Sequence, residues 1–476
     1  MNIKNAHGER MKSLKRGIAN KAVLIAFSSL ALLPLSVHSQ SLEQAVAHTL
    51  DTHPEIRAAF TRFKAAEKQV DQAEAGYLPT LDVTGGIGYE YTDSPSTRND
   101  TNDDPENLTR RELGLSLKQN LFTGFRTSSE VDRTSYATSA EQWRLHSIAE
   151  DIALEITKVY LELIQSEELV SLSEKNLQAH VEIYDQIKER TESGFSSKAD
   201  LSQINGRLAK AQSNLIAAKN NYLDSKTKFY RIIDQTPENL VIPFPDNSML
   251  PTTRDEGLKI ALKNHPSVWA ASNDIQSAHA QYDSAKSTYY PEVTFEIDAN
   301  FNDNVDGVDG NYTSGDVGGN NNDVTAMLRF KYNLFSGGKD LAYTKETAYR
   351  INEAKALNMT AHREVKEGFI LSWDAFEQLN LQKKYIKLHV IASKDTQADY
   401  KEQFKIGQRS LLDLLDTENE LYQARRDFLE AEFSEITAQY RVLHSMGKLL
   451  DSLRVTRPAT WQGEEQFEGG VYNENN

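Results

Sequence analysis

The sequence predicts a mainly α-helical chain with a membrane β-barrel, organised as two tandem structural repeats. Three observations support this fold class: motifs that recur at one spacing, apolar segments of period two, and helical patterns too long for one globular core. His53-Pro54 recurs as His265-Pro266, and Asn120-Leu121-Phe122 recurs as Asn333-Leu334-Phe335, at nearly the same offset along the chain. Because such matches extend over about 150 residues, tandem duplication explains them better than coincidence.

Both repeats read in the same order along the chain. A helical pattern runs from residue 42 to about residue 76, its counterpart runs from residue 258 to about residue 289, and a proline follows each. Very long helical patterns then cover about residues 127–192 and 340–405, each about 100 Å of helix at 1.5 Å per residue. Gly194 and Gly407 mark the turns where the chain reverses into a further helix.

Between these helical patterns lie four segments in which apolar and polar residues alternate: residues 81–91, 113–121, 293–301 and 325–334. We expect four strands of about ten residues, close to the nine to eleven that a transmembrane barrel strand needs. Long polar loops, Asp93–Arg110 and Asn302–Asp323, separate the strands of each pair. A soluble sheet with one wet face would show the same alternation, but the long helices and an export signal favour the barrel.

The N-terminus carries that export signal. Residues 22–35 form the one continuously apolar stretch, at about 14 residues too short to span a bilayer as a helix. Basic residues precede it and small residues follow it, as in a cleaved signal peptide, which we place at residues 1–39. The alternative, a buried N-terminal helix, leaves the flanking lysines and Pro34 unexplained.

These patterns predict the domain boundaries. The first repeat covers residues 40–235 and the second covers residues 255–453. A proline-rich linker, residues 236–254, joins them, and residues 454–476 form a polar C-terminal tail that we expect to fray.

Composition excludes several classes of function. Without residues 1–39 the chain has 47 basic and 68 acidic residues, a net charge of −21, which argues against binding to nucleic acid. The absence of cysteine excludes disulfides, thiolate metal sites, cysteine nucleophiles and a lipid-bearing cysteine. The run Gly85-Gly86-Ile87-Gly88 lies within a strand pattern, so we do not expect it to bind phosphate. With no catalytic constellation, we expect no enzyme activity, no cofactor and no metal site.

Four strands cannot close a membrane barrel, because an open edge in lipid leaves backbone groups unpaired. The chain must therefore assemble with copies of itself. Three copies would supply twelve strands, whereas two would supply eight, a barrel too narrow for a duct. The helices would then pack side by side into a tube.

The order of elements and three motifs resemble the TolC family of outer-membrane efflux and secretion channels. The motifs are the paired strand ends at residues 120–124 and 333–337, Tyr-x-Pro at 77–79 and 289–291, and the turn Gly-Gln-Arg-Ser-Leu-Leu-Asp-Leu-Leu-Asp at 407–416. The resemblance implies a homotrimer with a twelve-stranded barrel in the outer membrane of a Gram-negative cell. It also implies a periplasmic coiled-coil barrel of twelve helices that docks on a periplasmic adaptor and an inner-membrane ABC or other pump.

The resemblance further assigns Asp413 and Asp416 to the periplasmic entrance. They lie three residues apart on one helix face, so in a threefold assembly they would form stacked rings of carboxylates. Such rings select cations and raise one another's pKa values. The alternative is that two acids on a solvated helix only keep it soluble.

Other family positions concern the closed gate and the adaptor. Arg409 matches an arginine that ties the closed entrance to the neighbouring helix pair, and Asp200 matches an acid on that pair. The chain departs from the family at Phe404, where the best-known member has a tyrosine that bonds to this acid, because phenylalanine has no hydroxyl to form that bond. Gly194 and Gly407 match the helix-tip turns that meet the adaptor.

The sequence therefore predicts a passive outer-membrane conduit of a tripartite export system. The overall pattern is closer to members that conduct protein cargo by type I secretion, with an adhesin as one such cargo. Efflux of drugs or metals is the alternative within this class. In another class, the long helices alone would allow a soluble periplasmic coiled-coil adaptor or scaffold.

Overall fold

A computed structural model of the chain describes residues 40–93, 106–305 and 319–463. The predicted signal peptide, residues 1–39, lies outside the described residues. None of the helices in the described ranges is both long and apolar enough to cross a membrane.

Two repeats follow one another with the same elements in the same order, as predicted. The first contains α1 (Leu42–Thr52), α2 (Pro54–Glu74), β1 (Thr80–Thr92), β2 (Glu106–Phe122), α3 (Arg126–Glu192) and α4 (Lys198–Ile233). The second contains α5 (Arg254–Asn264), α6 (Pro266–Lys286), β3 (Glu292–Val305), β4 (Gly319–Lys331), α7 (Lys339–Lys405) and α8 (Leu411–Ser445), and a short α9 (Leu449–Ser452) follows.

The helical pattern that begins each repeat is two helices, so the expectation of one continuous helix was wrong. The residue before a proline is disfavoured in helical conformation, and His53 accordingly has an extended backbone, with a ψ of 128°. Its Nδ1 atom accepts a hydrogen bond from the backbone N–H of Glu55 at 3.3 Å and so caps α2. His265 repeats this arrangement, with Nδ1 accepting from the backbone N–H of Ser267 at 3.3 Å.

The strands are longer than the expected ten residues. They contain 13, 17, 14 and 13 residues, and their outer ends extend into both segments that had been expected to be loops. The backbone of Thr92 pairs with that of Glu106, and the backbone of Asn304 pairs with that of Gly319. The pairing continues where the apolar alternation stops, so the sequence pattern identified only the apolar part of each strand.

All four strands form one antiparallel sheet in the order β1-β2-β3-β4, so β1 and β4 are its edges. One face carries large apolar side chains that are exposed in the single chain, among them Val83 (67%), Ile87 (78%), Leu328 (67%) and Phe330 (68%). The other face is polar and bears ion pairs between strands, such as Arg110 with Glu90 at 2.6 Å. This distribution suits a barrel wall with lipid outside and water inside.

The two 67-residue helices, α3 and α7, differ in how many of their side chains are buried. α3 packs against α2, α4, α6 and α8 and includes the fully buried Tyr160, Ile156 and Leu163. α7, its counterpart, exposes Leu357, Tyr385 and other large apolar residues. The second repeat covers α3, whereas among the described residues no further repeat covers the matching face of α7.

The C-terminal segment packs further along the chain than predicted, so the fraying tail does not begin at residue 454. Val455 and Trp461 are buried, and Arg457 binds Glu150 of α3 at 3.2 Å and Asp451 at 2.7 Å. Residues 464–476 lie outside the described part of the chain.

Candidate functional site at the helix tips

Within each pair of long helices, the chain reverses direction at a glycine. Gly194 between α3 and α4 and Gly407 between α7 and α8 both have a φ of +78°, a left-handed conformation that favours glycine. A Cβ atom at either position would meet nothing within 4 Å, so the backbone conformation and not crowding requires glycine. A role for these turns in adaptor docking stays a prediction.

Asp413 and Asp200 lie in the first turns of the helices that follow these glycines, and both take part in capping their helix in the same way. Asp413 Oδ2 accepts hydrogen bonds from the backbone N–H of Ser410 at 3.2 Å and from its hydroxyl at 2.9 Å. The Ser410 hydroxyl in turn accepts from the N–H of Asp413 at 3.2 Å. Asp200 and Ser197 form the same reciprocal capping box. The recurrence of this aspartate in both repeats therefore has a local structural cause.

Capping also keeps both carboxylates charged. Hydrogen bonds from the Ser410 hydroxyl and backbone lower the pKa of Asp413. Hydrogen bonds from the Ser197 backbone and hydroxyl, and from the Ser196 hydroxyl, lower the pKa of Asp200. Hydrogen bonds to the charged form have this effect because they stabilise the carboxylate over the acid.

Asp416, one helical turn beyond Asp413, is paired with a residue that the sequence reasoning missed. Arg207 of α4 donates to Asp416 Oδ1 at 2.9 Å and so connects the first repeat to the second. The two side chains are 30% and 59% exposed, so the pair contributes at most about 1 kcal/mol to stability. Its main consequence is electrostatic, because the guanidinium partly neutralises one of the two predicted entrance charges.

Arg409 does not contact Asp200 within the described chain. Its Nε atom donates to Gln403 Oε1 at 3.0 Å, and its guanidinium lies 4.2 Å from the centre of the Tyr400 ring. The predicted pairing of Arg409 with Asp200 is therefore left to a contact between copies, where it stays a prediction.

Phe404 belongs to a buried apolar cluster just inside the tips. The cluster takes side chains from all four long helices, and its members are Ile183, Ile187, Ile204, Phe404, Leu411, Leu414 and Leu415. Phe404 is 6% exposed, and the guanidinium of Arg190 lies 5.3 Å from the centre of its ring. Phe404 thus joins the two helix pairs by apolar packing, where a tyrosine would need a partner for its hydroxyl.

Residues 40–93, 106–305 and 319–463 contain no group of three or more histidine or acidic side chains placed to hold a metal ion. The arrangement at the tips is one of fixed charges around a packed joint between helices.

Comparison with known proteins decides the family. A family model described as outer membrane efflux protein matches residues 45–234 and 257–448, once in each repeat. The chain belongs to the outer membrane efflux protein family. The predicted TolC-family resemblance is thereby confirmed.

Individual relatives align along nearly the whole chain. The outer membrane efflux protein BepC of Brucella suis is 20% identical over 446 residues, which cover 94% of each chain. The outer membrane protein TolC of Escherichia coli K12 is 22% identical over 443 residues, 90% of this chain and 86% of its own. The crystal structure of the Campylobacter jejuni CmeC outer membrane channel superposes with a TM-score of 0.72 at 15% identity, covering 92% and 94% of the two chains.

Membership of this efflux family places the protein in the outer membrane, with its long helices extending into the periplasm. Channels of the family are trimeric and work with efflux pumps and adaptors. The alternative of a soluble periplasmic adaptor fits neither this family nor the four-stranded sheet.

Proposed function

We propose that three copies of this chain form the outer-membrane duct of a tripartite exporter. The observation that carries the proposal is a four-stranded sheet with two open edges and an exposed apolar face, continuous with two 67-residue helices. Such a sheet is stable in lipid only when further strands close it. The helix tips then meet a periplasmic adaptor, and an inner-membrane ABC or other pump supplies the energy. The chain acts as a conduit and not as an enzyme.

At the entrance, we propose that Asp413 supplies most of the cation selectivity and Asp416 a smaller share. Asp413 is half-buried and charged and forms no ion pair among the described residues, although the charge of Arg409 contributes to lowering its pKa, whereas Asp416 is bound to Arg207 at 2.9 Å. A ring of three Asp413 carboxylates would attract cations and repel anions.

Planar-bilayer recordings test this assignment. Asp413→Asn removes the charge and retains a side-chain oxygen for the cap, so we expect a lower cation-to-anion permeability ratio from a channel that still assembles. Asp416→Asn should lower the ratio less. The control is Asp71→Asn, the same charge change on α2, which should leave the ratio unchanged. An Asp413→Asn channel with the wild-type ratio would refute the assignment.

For the cargo, we propose an exported polypeptide delivered by type I secretion, an adhesin being the class that the sequence pattern favours. Small-molecule efflux is the second candidate, and the name of the family and that of BepC favour it. Both cargoes would use the same duct, so the two candidates differ only in the pump and adaptor that dock on it.

Deletion of the gene separates the two cargoes. Loss of one or a few secreted proteins, restored by the intact gene, is expected for type I secretion. Unchanged secretion together with heightened sensitivity to drugs or metals would refute the polypeptide cargo and support efflux. A complementing gene with Asp71→Asn controls for expression level.

A further inference from the structure

Both edges of the sheet lack strand partners within the described part of the chain. β1 and β4 each pair on one side only, so a row of backbone N–H and C=O groups is left open along each. The junction between β2 and β3, where the two repeats meet, shows how strands of one repeat continue onto the next. If copies follow one another as the repeats do, β4 of one copy meets β1 of the next as β2 meets β3.

We propose that β4 of one copy pairs with β1 of the neighbouring copy in the register that places Leu328 opposite Ile87, and that Glu364 of the first copy binds Arg231 of the second. This rests on the proposed function in that it requires an assembly of copies. It adds the residues by which one copy recognises the next in a head-to-tail contact.

The strand register follows from the internal junction and the alignment of the repeats. At that junction Leu115 of β2 lies opposite Ala299 of β3. The alignment that matches Asn120 to Asn333 carries Leu115 of β2 to Leu328 of β4. The alignment that matches the Tyr-x-Pro motifs, just before β1 and β3, carries Ala299 of β3 back to Ile87 of β1. The same register places apolar residues of both strands on the lipid-facing side.

The glycine run of β1 supports this register. Glycine weakens a strand unless a bulky neighbour approaches closely, and within the chain a Cβ atom at Gly88 would meet nothing within 4 Å. The proposed register puts large side chains of β4 opposite all three glycines of the run: Phe330 opposite Gly85, Arg329 opposite Gly86 and Met327 opposite Gly88. An aromatic ring laid over a strand glycine is a known means of stabilising such a pair.

A second contact, far from the sheet, follows from the same symmetry. Within the chain, His444 of α8 and Asp151 of α3 are hydrogen-bonded at 2.8 Å. The matching residues in the other repeat are Arg231 of α4 and Glu364 of α7, again one base and one acid. Glu364 is exposed and has no ion pair within the described residues. Arg231 is 71% exposed, and its contact with Glu155 is long, at 3.7 Å.

Cysteine cross-linking tests the register, and a chain without cysteine offers no background. Leu328→Cys is combined with Ile87→Cys in the full-length protein, in outer membranes, under mild oxidation. The mismatched controls combine Leu328→Cys with Gly85→Cys or with Tyr89→Cys, which stand two residues to either side on the same face. We expect covalent oligomers on non-reducing gels at least tenfold more abundant for the Ile87 pair. Better cross-linking at Gly85 or Tyr89, or none with any pair, overturns the register.

Charge reversal tests the proposed contact between Glu364 of one copy and Arg231 of the next. Glu364→Arg and Arg231→Glu should each lower the temperature at which the oligomer dissociates, and the double reversal should restore it. Failure of the double reversal to restore it overturns the contact. Bilayer recordings show whether a negative result also refutes the proposed function. An oligomer that conducts ions but lacks the predicted contacts between copies refutes only those contacts. A monomer without conductance refutes the duct itself.

Discussion

Substitution of Glu150 tests how the C-terminal segment is fastened to α3. Glu150 is 2% exposed, and its Oε2 atom accepts from the backbone N–H groups of Leu449 at 3.0 Å and Leu450 at 3.4 Å. Its Oε1 atom accepts from Arg457 at 3.2 Å, and Arg457 also binds Asp451 at 2.7 Å. One carboxylate thus connects the first repeat to three residues near the C-terminus.

The cost of removing this carboxylate can be worked from its contacts. Glu150→Ala leaves two buried N–H groups without an acceptor and removes a carboxylate partner of Arg457, which should cost about 3–5 kcal/mol. Glu150→Gln keeps one acceptor oxygen and loses the charge, so we expect a smaller cost of about 1–2 kcal/mol.

The acidity of Glu150 predicts a dependence on pH. Burial raises the pKa of Glu150 from its ordinary value of 4.5 to about 7, although the Arg457 guanidinium opposes the shift. Between those two values the folded state binds more protons than the unfolded state, so this group adds stability as the pH falls and loses that contribution as the pH rises through 7. A shift of this size corresponds to about 3 kcal/mol across the window.

Amide hydrogen exchange of residues 446–462 between pH 5 and 8 measures how readily this segment detaches from α3. The rates are corrected for the effect of pH on the exchange of unprotected amides. We expect the segment to open less readily at pH 5 than at pH 8 in the wild type and the Glu150→Gln variant to lose this difference. The control is Glu155→Gln, a half-exposed glutamate on the same helix. Wild-type pH dependence in Glu150→Gln, or wild-type protection in Glu150→Ala, would refute the reasoning.

Three further predictions concern the backbone, the linker and the entrance. Gly338, the residue immediately before α7, has a φ of +87° and open space around it, so Gly338→Ala should cost about 1 kcal/mol of backbone strain in thermal denaturation; an unchanged melting temperature would contradict this. The buried Tyr160 hydroxyl accepts from the N–H of Val241 at 3.0 Å, so Tyr160→Phe should lower stability by about 1–3 kcal/mol in denaturant titrations, and equal midpoints would count against it. Arg207→Gln should free the charge of Asp416 and raise the cation-to-anion permeability ratio in bilayers, and a lower ratio would contradict the electrostatic role.

Much of the fold could be predicted from the sequence because the duplication makes each sequence feature occur twice. The nearly constant offset between paired motifs and the period-two segments predicted the element order and the four strands. The polar strand ends, such as Asn302–Val305, escaped because backbone pairing holds them without apolar alternation. The break at His53-Pro54 was visible as a motif, and the rule that the residue before a proline leaves the helix would have located it.

At the helix tips, too, local sequence patterns predict some contacts and not others. The Ser-x-x-Asp spacing of Ser410 and Asp413 is a capping signal that the sequence alone contains. The pairing of Arg207 with Asp416 joins residues far apart in the chain on different helices, and no local pattern could reveal it. Phe404 could be identified as a departure from the family, but its burial among residues of four helices depends on the packing of both repeats.

We propose that copies of this chain close a β-sheet into a membrane pore with an acidic entrance. Single-channel recording of the purified full-length protein in planar bilayers tests it most directly. We expect a stable conductance from a heat-labile oligomer, with cations more permeant than anions. A well-formed oligomer that gives no conductance, or one that conducts anions preferentially, would contradict it.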